Sequence, residues 1–130
     1  MKERYAKDLI VEANTLKTLV QQQILPSAYE YRKELALSAN ALDALSIDAT
    51  AEKKLLTLMS SIVKELQENT ETLVSSVDSV EQQDHLEQAR GACQQILPSM
   101  DKVRTLADRL EEVVADKFWG LPKNTELLFY

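Results

Sequence analysis

The stretch LEQARGACQQILPSMDKVRTLADRLEEVV, at residues 86–114, decides the fold. Its apolar or small residues recur at alternating spacings of three and four, at Leu86, Ala89, Cys93, Ile96, Met100, Val103, Ala107, Leu110 and Val114. This spacing places one apolar stripe along one face of an α-helix. Asp84 and Glu87 form a capping-box-like pair before the stripe. The sequence therefore predicts a helix from about Asp84 to Lys117.

Two more helices precede this one. Residues 2–45 carry the same three-four rhythm, and another helix follows the break at residues 46–50, where Asp48 or Thr50 can act as the N-cap. We end this middle helix at residues 75–79, because serine and aspartate compete with the helix through local hydrogen bonds. Short connections force neighbouring helices to run antiparallel. The expected fold is all-α, an antiparallel up-down bundle of three long helices over residues 1–117. Because the first helix is longest, one end must overhang, fold back or pack on another body.

The composition supports this fold and limits the function. Only two glycines and three prolines occur, too few for the frequent turns of a sheet protein. A net charge of −6 disfavours binding to nucleic acids or to anionic membranes. No apolar run reaches the roughly 18 residues of a spanning helix, and no signal peptide opens the chain. We expect no nucleic-acid or membrane partner and a cytoplasmic location.

A proline motif occurs twice. The letters QQILPS at residues 22–27 recur at residues 94–99. Proline inside a helix removes one hydrogen bond and clashes with the preceding turn. Since the apolar rhythm keeps its phase through both sites, we predict outward-pointing helix kinks at Pro26 and Pro98, at similar heights on two parallel helices. The kinks either adjust the shape of the bundle or provide a hinge or docking notch.

Residues suited to catalysis are few. His85 is the only histidine and lies at a helix start, so a histidine phosphotransfer domain is a remote alternative. Cys93 lies on the apolar stripe, which predicts a buried thiol acting as a small hydrophobe. One histidine and one cysteine do not make a four-ligand zinc set, and both glycines are isolated, which argues against a phosphate-binding loop. We predict no catalytic, cofactor-binding or metal-binding residue in this chain.

The C-terminal tail, FWGLPKNTELLFY at residues 118–130, is unusually aromatic. It contains the only tryptophan, both phenylalanines and one of four tyrosines. Such a cluster should not be left in water. Two interpretations stay open: the tail seals one end of the bundle, or it docks onto another domain or subunit, where aromatic side chains anchor interfaces. The candidate interface residues are Phe118, Trp119, Leu121, Leu127, Leu128, Phe129 and Tyr130.

Three stretches, in order along the chain, resemble the C-terminal region of type III glutamine synthetases. The first runs from Arg4-Tyr5 through residues 23–28 to residues 31–36, the second covers residues 96–100 and continues to Leu110-Glu111, and the third is the closing FWGLP with ELLF. The chain departs from the family pattern at Gly120, where the family has proline.

The resemblance implies a parent enzyme that joins ammonia to glutamate with ATP and magnesium, in a large ring-based oligomer. Its ligand-binding residues lie upstream, so no cofactor is expected in this chain. The expected role is a non-catalytic structural or oligomerisation domain whose partners are the catalytic domain and neighbouring subunits, in a homo-oligomer. A free-standing helical interaction module is the alternative.

Overall fold

The structure, a computed structural model, describes residues 2–115 and Phe118, with side chains from Arg4 onward. The first long helix consists of α1 (Lys2–Leu19), a π-helical turn (Val20–Ile24) and α2 (Leu25–Ala44). The middle helix is α3 (Thr50–Glu81). The third long helix consists of α4 (His85–Gly91), a second π-helical turn (Ala92–Ile96) and α5 (Leu97–Val113). The predicted all-α fold of three packed helices is confirmed.

Side-chain pairs show the directions of the helices. Three pairs join α2 to α3 in decreasing order along α3: Tyr29 with Gln67, Arg32 with Ser60, and Asp43 with Lys53. Arg109 of α5 pairs with Glu65, while the start of the third helix lies against the end of α3. Both α2 and α5 are thus antiparallel to α3, and α1 packs mainly on α4 and the second π turn.

One continuous core runs between the helices. Fully buried side chains of α3 meet those of both long neighbours, and the largest are Met59, Ile62, Leu66, Leu73, Ile96, Met100 and Leu110. These leucine, isoleucine and methionine side chains each contribute roughly 1.5–3 kcal/mol on burial before entropy is counted. The core is therefore aliphatic, as a chain with few aromatics requires.

Two predicted helix ends are wrong. The middle helix does not stop at residues 75–79 but continues to Glu81, because Val77 and Val80 are buried in the core and their burial outweighs local competition from serine. The third helix ends at Val113 instead of near Lys117, since Val114 adopts an extended conformation (ψ 129°). Lys117 itself lies outside the described residues.

The second connection follows the predicted capping chemistry, whereas the first does not: Ala49, and not Asp48 or Thr50, is the N-cap of α3, and it makes no side-chain capping hydrogen bond. Ser46 adopts a left-handed conformation (φ 58°) that turns the chain after α2. The Asp48 carboxylate accepts hydrogen bonds from the Thr50 backbone N–H (3.1 Å) and the Thr50 hydroxyl. Asp84 caps α4 by accepting from the Glu87 N–H at 2.9 Å, as the capping-box pair predicts.

Each repeated proline follows a π turn. The Leu25 N–H donates to the Val20 carbonyl, and the Leu97 N–H donates to the Ala92 carbonyl, five residues back in each case. The wider turn accommodates the proline, which cannot donate to the carbonyl four residues back. Pro26 and Pro98 are exposed, as predicted, and neither ends its helix. A π turn is a known cause of kinks, although the bend itself stays a prediction.

The α2–α3 hairpin extends beyond the end of α5. Because Arg109 pairs with Glu65 and α5 ends one turn later, its end lies near residue 61 of α3. Residues 50–60 therefore project about 16 Å further, at 1.5 Å per residue. The predicted overhang of the first helix is thus a two-helix projection in which α2 packs on the start of α3.

Candidate functional site

The exposed cysteine corrects one sequence prediction. Cys93 was expected to be buried but is exposed in the second π turn, with its Sγ 3.6 Å from the Tyr5 hydroxyl. The π turn holds one more residue than an α-turn, so Ala92, and not Cys93, faces the core one turn before Ile96. The hydrogen bond with Cys93, and then desolvation, raise the pKa of Tyr5 above its ordinary value.

His85 lies on the surface at the start of α4. It is the first residue after the Asp84 cap, and its side chain is exposed. Within residues 2–115 and Phe118, no three or more His, Cys, Asp or Glu side chains lie close enough to hold a metal ion. The described residues therefore bring together no carboxylate cluster suited to magnesium.

The described part of the surface carries open grooves. One lies beside the first π turn and is lined by Val11, Asn14, Thr15, Thr18, Leu19 and Gln23. Another, beside the second π turn, is polar and brings Gln95 close to Ser75, Ser76 and Ser79 of α3. In the described part of the chain, none of the helices is long and apolar enough to cross a bilayer.

The repeated motif is not equivalent in its two copies. The Ser27 hydroxyl donates to the Gln23 carbonyl at 2.7 Å, inside the first π turn. Ser99, the matching residue, has a buried hydroxyl with no hydrogen-bond partner in the described structure. The second π turn lies against the C-terminal half of α3, and Tyr29, which follows Pro26 by three residues, pairs with Gln67 of α3. That the two prolines lie at similar heights stays a prediction.

Gly91 marks a close approach that the sequence analysis did not detect. A Cβ atom on Gly91 would lie 2.7 Å from Val80 Cγ2 and 2.8 Å from Gln83 Oε1. Real Cβ atoms essentially never approach that closely, so the glycine allows α4 to pack onto the end of α3. The sequence offers one sign of this close approach: Gly91 lies inside a helical pattern, where glycine destabilises the helix and so often has a packing reason.

Of the candidate interface residues, the structure describes only Phe118. Its ring is half-buried against the core, 5.3 Å from the Tyr31 ring at an interplanar angle of 33°. Its backbone N–H donates to the Ala115 carbonyl at 2.9 Å. Trp119, Leu121, Leu127, Leu128, Phe129 and Tyr130 lie outside the described residues. Phe118 thus packs on the bundle, which agrees with the sealing interpretation for this one residue.

Apolar side chains remain exposed at both ends of the bundle. Val11 is 63% exposed on α1 and Leu86 is 81% exposed on α4. At the other end, Leu45 and Ile47 are exposed at the tip of the α2–α3 hairpin. Single exposed apolar side chains are common on protein surfaces, and these positions would gain stability if another chain or domain packed on them.

Comparison with known proteins agrees with the resemblance seen in the sequence. Residues 1–43 match the Glutamine synthetase C-terminal domain. The chain is 28% identical over 134 aligned positions to a type-3 glutamine synthetase of Dictyostelium discoideum, across 98% of this chain. It spans 18% of the length of that relative. The chain is thus a distant homologue of type-3 glutamine synthetase that carries a match to its C-terminal domain family.

Proposed function

We propose that this chain is a non-catalytic structural domain that serves the assembly of a type III glutamine synthetase. The observation that carries the proposal is the alignment itself: nearly the whole chain matches a segment that makes up 18% of the relative. A helical bundle with its own continuous aliphatic core supports a structural role. Glutamate, ammonia, ATP and magnesium would be bound by other parts of the parent enzyme.

The partners in this proposal are the catalytic domain and neighbouring subunits of the parent, in a homo-oligomer and a cytoplasmic setting. Exposed apolar residues such as Val11 and Leu86 are suited to such contacts because they lie outside the core. The net charge of −6 disfavours the nucleic-acid and membrane alternatives.

A turnover assay tests the non-catalytic role. Purified chain is incubated with glutamate, ammonia, ATP and magnesium, and both glutamine and released phosphate are measured. Neither product should form. Glutamine formation by the chain alone would reject the proposal.

Light scattering tests the assembly role. The molar mass of the chain is measured over a wide range of concentrations, for the wild type and for Leu86→Lys. A mass that rises with concentration, and rises less in the variant, supports self-association. A monomer at every concentration would contradict the homo-oligomer.

The free-standing interaction module is the second candidate, because the aromatic residues of the 118–130 tail are of the kind that commonly anchors interfaces. A pull-down with the Dictyostelium enzyme lacking its matching segment separates the two. Capture favours the structural domain, whereas failure to bind, with the fold intact by circular dichroism, favours the independent module.

A further inference from the structure

Partly exposed apolar side chains lie on α3 beyond the last residue of α5, where a longer α5 would pack. On α3, Leu58 and Leu55 lie four and seven residues before Ile62, so all three share one helical face. Ile62 is buried, and Glu65, one turn further on, pairs with Arg109 of α5. The face of α3 that contacts α5 thus runs on into the two-helix projection, where Leu55 is half-buried and Leu58 is 44% exposed.

The first long helix contributes further apolar side chains beside those of α3. Leu35 and Leu42 follow Tyr31 by four and eleven residues, about one and three helical turns, so they share its face. That face meets the Phe118 ring, and both leucines are only half-buried. We define the groove by Leu35, Leu42, Leu55 and Leu58, with Leu45 at its far end.

Phe118 lies at the end of this groove that is nearest to α5. Its ring rests on Tyr31 where the third helix has ended and the two-helix projection begins. Twelve further residues, 119–130, follow Phe118, and five of them are large aliphatic or aromatic residues apart from Trp119. The segment that follows Phe118 in the sequence is therefore largely apolar.

We propose that residues 119–130 of this same chain occupy the groove and complete the bundle in the place that a longer third helix would take. The length is sufficient. From Tyr31 to Leu45 the groove runs about 21 Å along α2, and twelve residues span about 18 Å as a helix or up to about 40 Å when extended.

A buried carboxylate supports this occupant. Glu52 lies in the first turn of α3, at the far part of the projection, and its Oε2 atom is buried with no hydrogen-bond partner among the described residues. Buried polar atoms in folded proteins nearly always have a partner. Lys123, five residues beyond Phe118, carries an ammonium group whose charge is complementary to that of the Glu52 carboxylate.

Tryptophan fluorescence tests the proposal, since Trp119 is the only tryptophan. In the full chain, Trp119 should emit at short wavelength and resist quenching by acrylamide, at all protein concentrations. Leu58→Lys places a charge in the groove and should shift the emission to longer wavelength and raise the quenching constant several-fold.

Leu37→Lys is the matched control. Leu37 is 55% exposed and lies two residues from Leu35, about 200° around α2 and so outside the groove. This variant should leave the emission unchanged. Equal responses of the two variants, or the emission of a fully exposed indole in the wild type, would overturn the proposal. Burial of Trp119 that appears only at high concentration would assign the groove to a second copy of the chain and would likewise overturn it.

Hydrogen exchange gives a second measurement that does not depend on a folded Leu58 variant. Deleting residues 119–130 should accelerate amide exchange in residues 35–45 and 50–58 and leave residues 66–80 unchanged. Unchanged exchange in the projection would reject the proposal. These outcomes are independent of the turnover and light-scattering assays, so this inference and the proposed function can fail separately.

Discussion

Replacing Gly91 by alanine should destabilise the bundle, although alanine is the better helix former. The new Cβ would lie 2.7 Å from Val80 Cγ2, and Val80 is fully buried and cannot move aside. Overpacking a buried site costs about 1–3 kcal/mol, and alanine regains about 0.8–1 kcal/mol of helix propensity. We expect a net loss of about 1 kcal/mol in the free energy of unfolding, from the difference of these two effects.

Urea denaturation followed by circular dichroism measures this loss, and a thermal melt should show a decrease of about 3–5 °C in Tm. The matched control is the same substitution in a Val80→Ala background. Removing the two methyl groups leaves only the flexible Gln83 side chain in the way, so Gly91→Ala should there be neutral or stabilising by up to about 1 kcal/mol. The coupling between the two sites should reach about 1 kcal/mol or more. Stabilisation by Gly91→Ala in the wild-type background would refute the close approach of α4 and α3.

Three further predictions follow from other sites. Cys93 should react with an aromatic disulfide reagent in the native protein, because its thiol is exposed; protection until denaturant is added would contradict this. Hydrogen bonds from the Thr50 hydroxyl and backbone N–H lower the pKa of Asp48. Their stabilisation is therefore present above the unfolded value of 3.8 and is lost as the pH falls through the folded pKa, so Asp48→Asn should flatten the acid side of the stability profile measured by urea denaturation. Leu66→Ala should cost about 2–5 kcal/mol at a fully buried site, whereas Leu86→Ala at an exposed site should change stability by less than about 0.5 kcal/mol; equal losses in thermal melts would argue against the packing of α3.

The candidate site was only partly predictable. Aromatic composition identified the tail as a contact segment, and the structure places its first residue, Phe118, against Tyr31. The groove that continues beyond α5 could not be predicted, since it depends on where α5 ends relative to α3. That ending is set by the extended conformation of Val114 and not by a recognisable terminator such as Gly120, which lies further along the chain.

Helix identity, helix number and the exposed positions of both prolines were readable from the periodicity and from the scarcity of glycine and proline. These features are local, because the side chains that determine them lie within a few turns of one another. The side on which Cys93 lies and the persistence of α3 to Glu81 were decided by the packed structure. A π turn adds one residue and so shifts the face of the residues before it relative to those after it. Burial of Val77 and Val80 stabilises a helical end that serine alone would weaken. Both effects depend on neighbours distant in sequence, which periodicity does not contain.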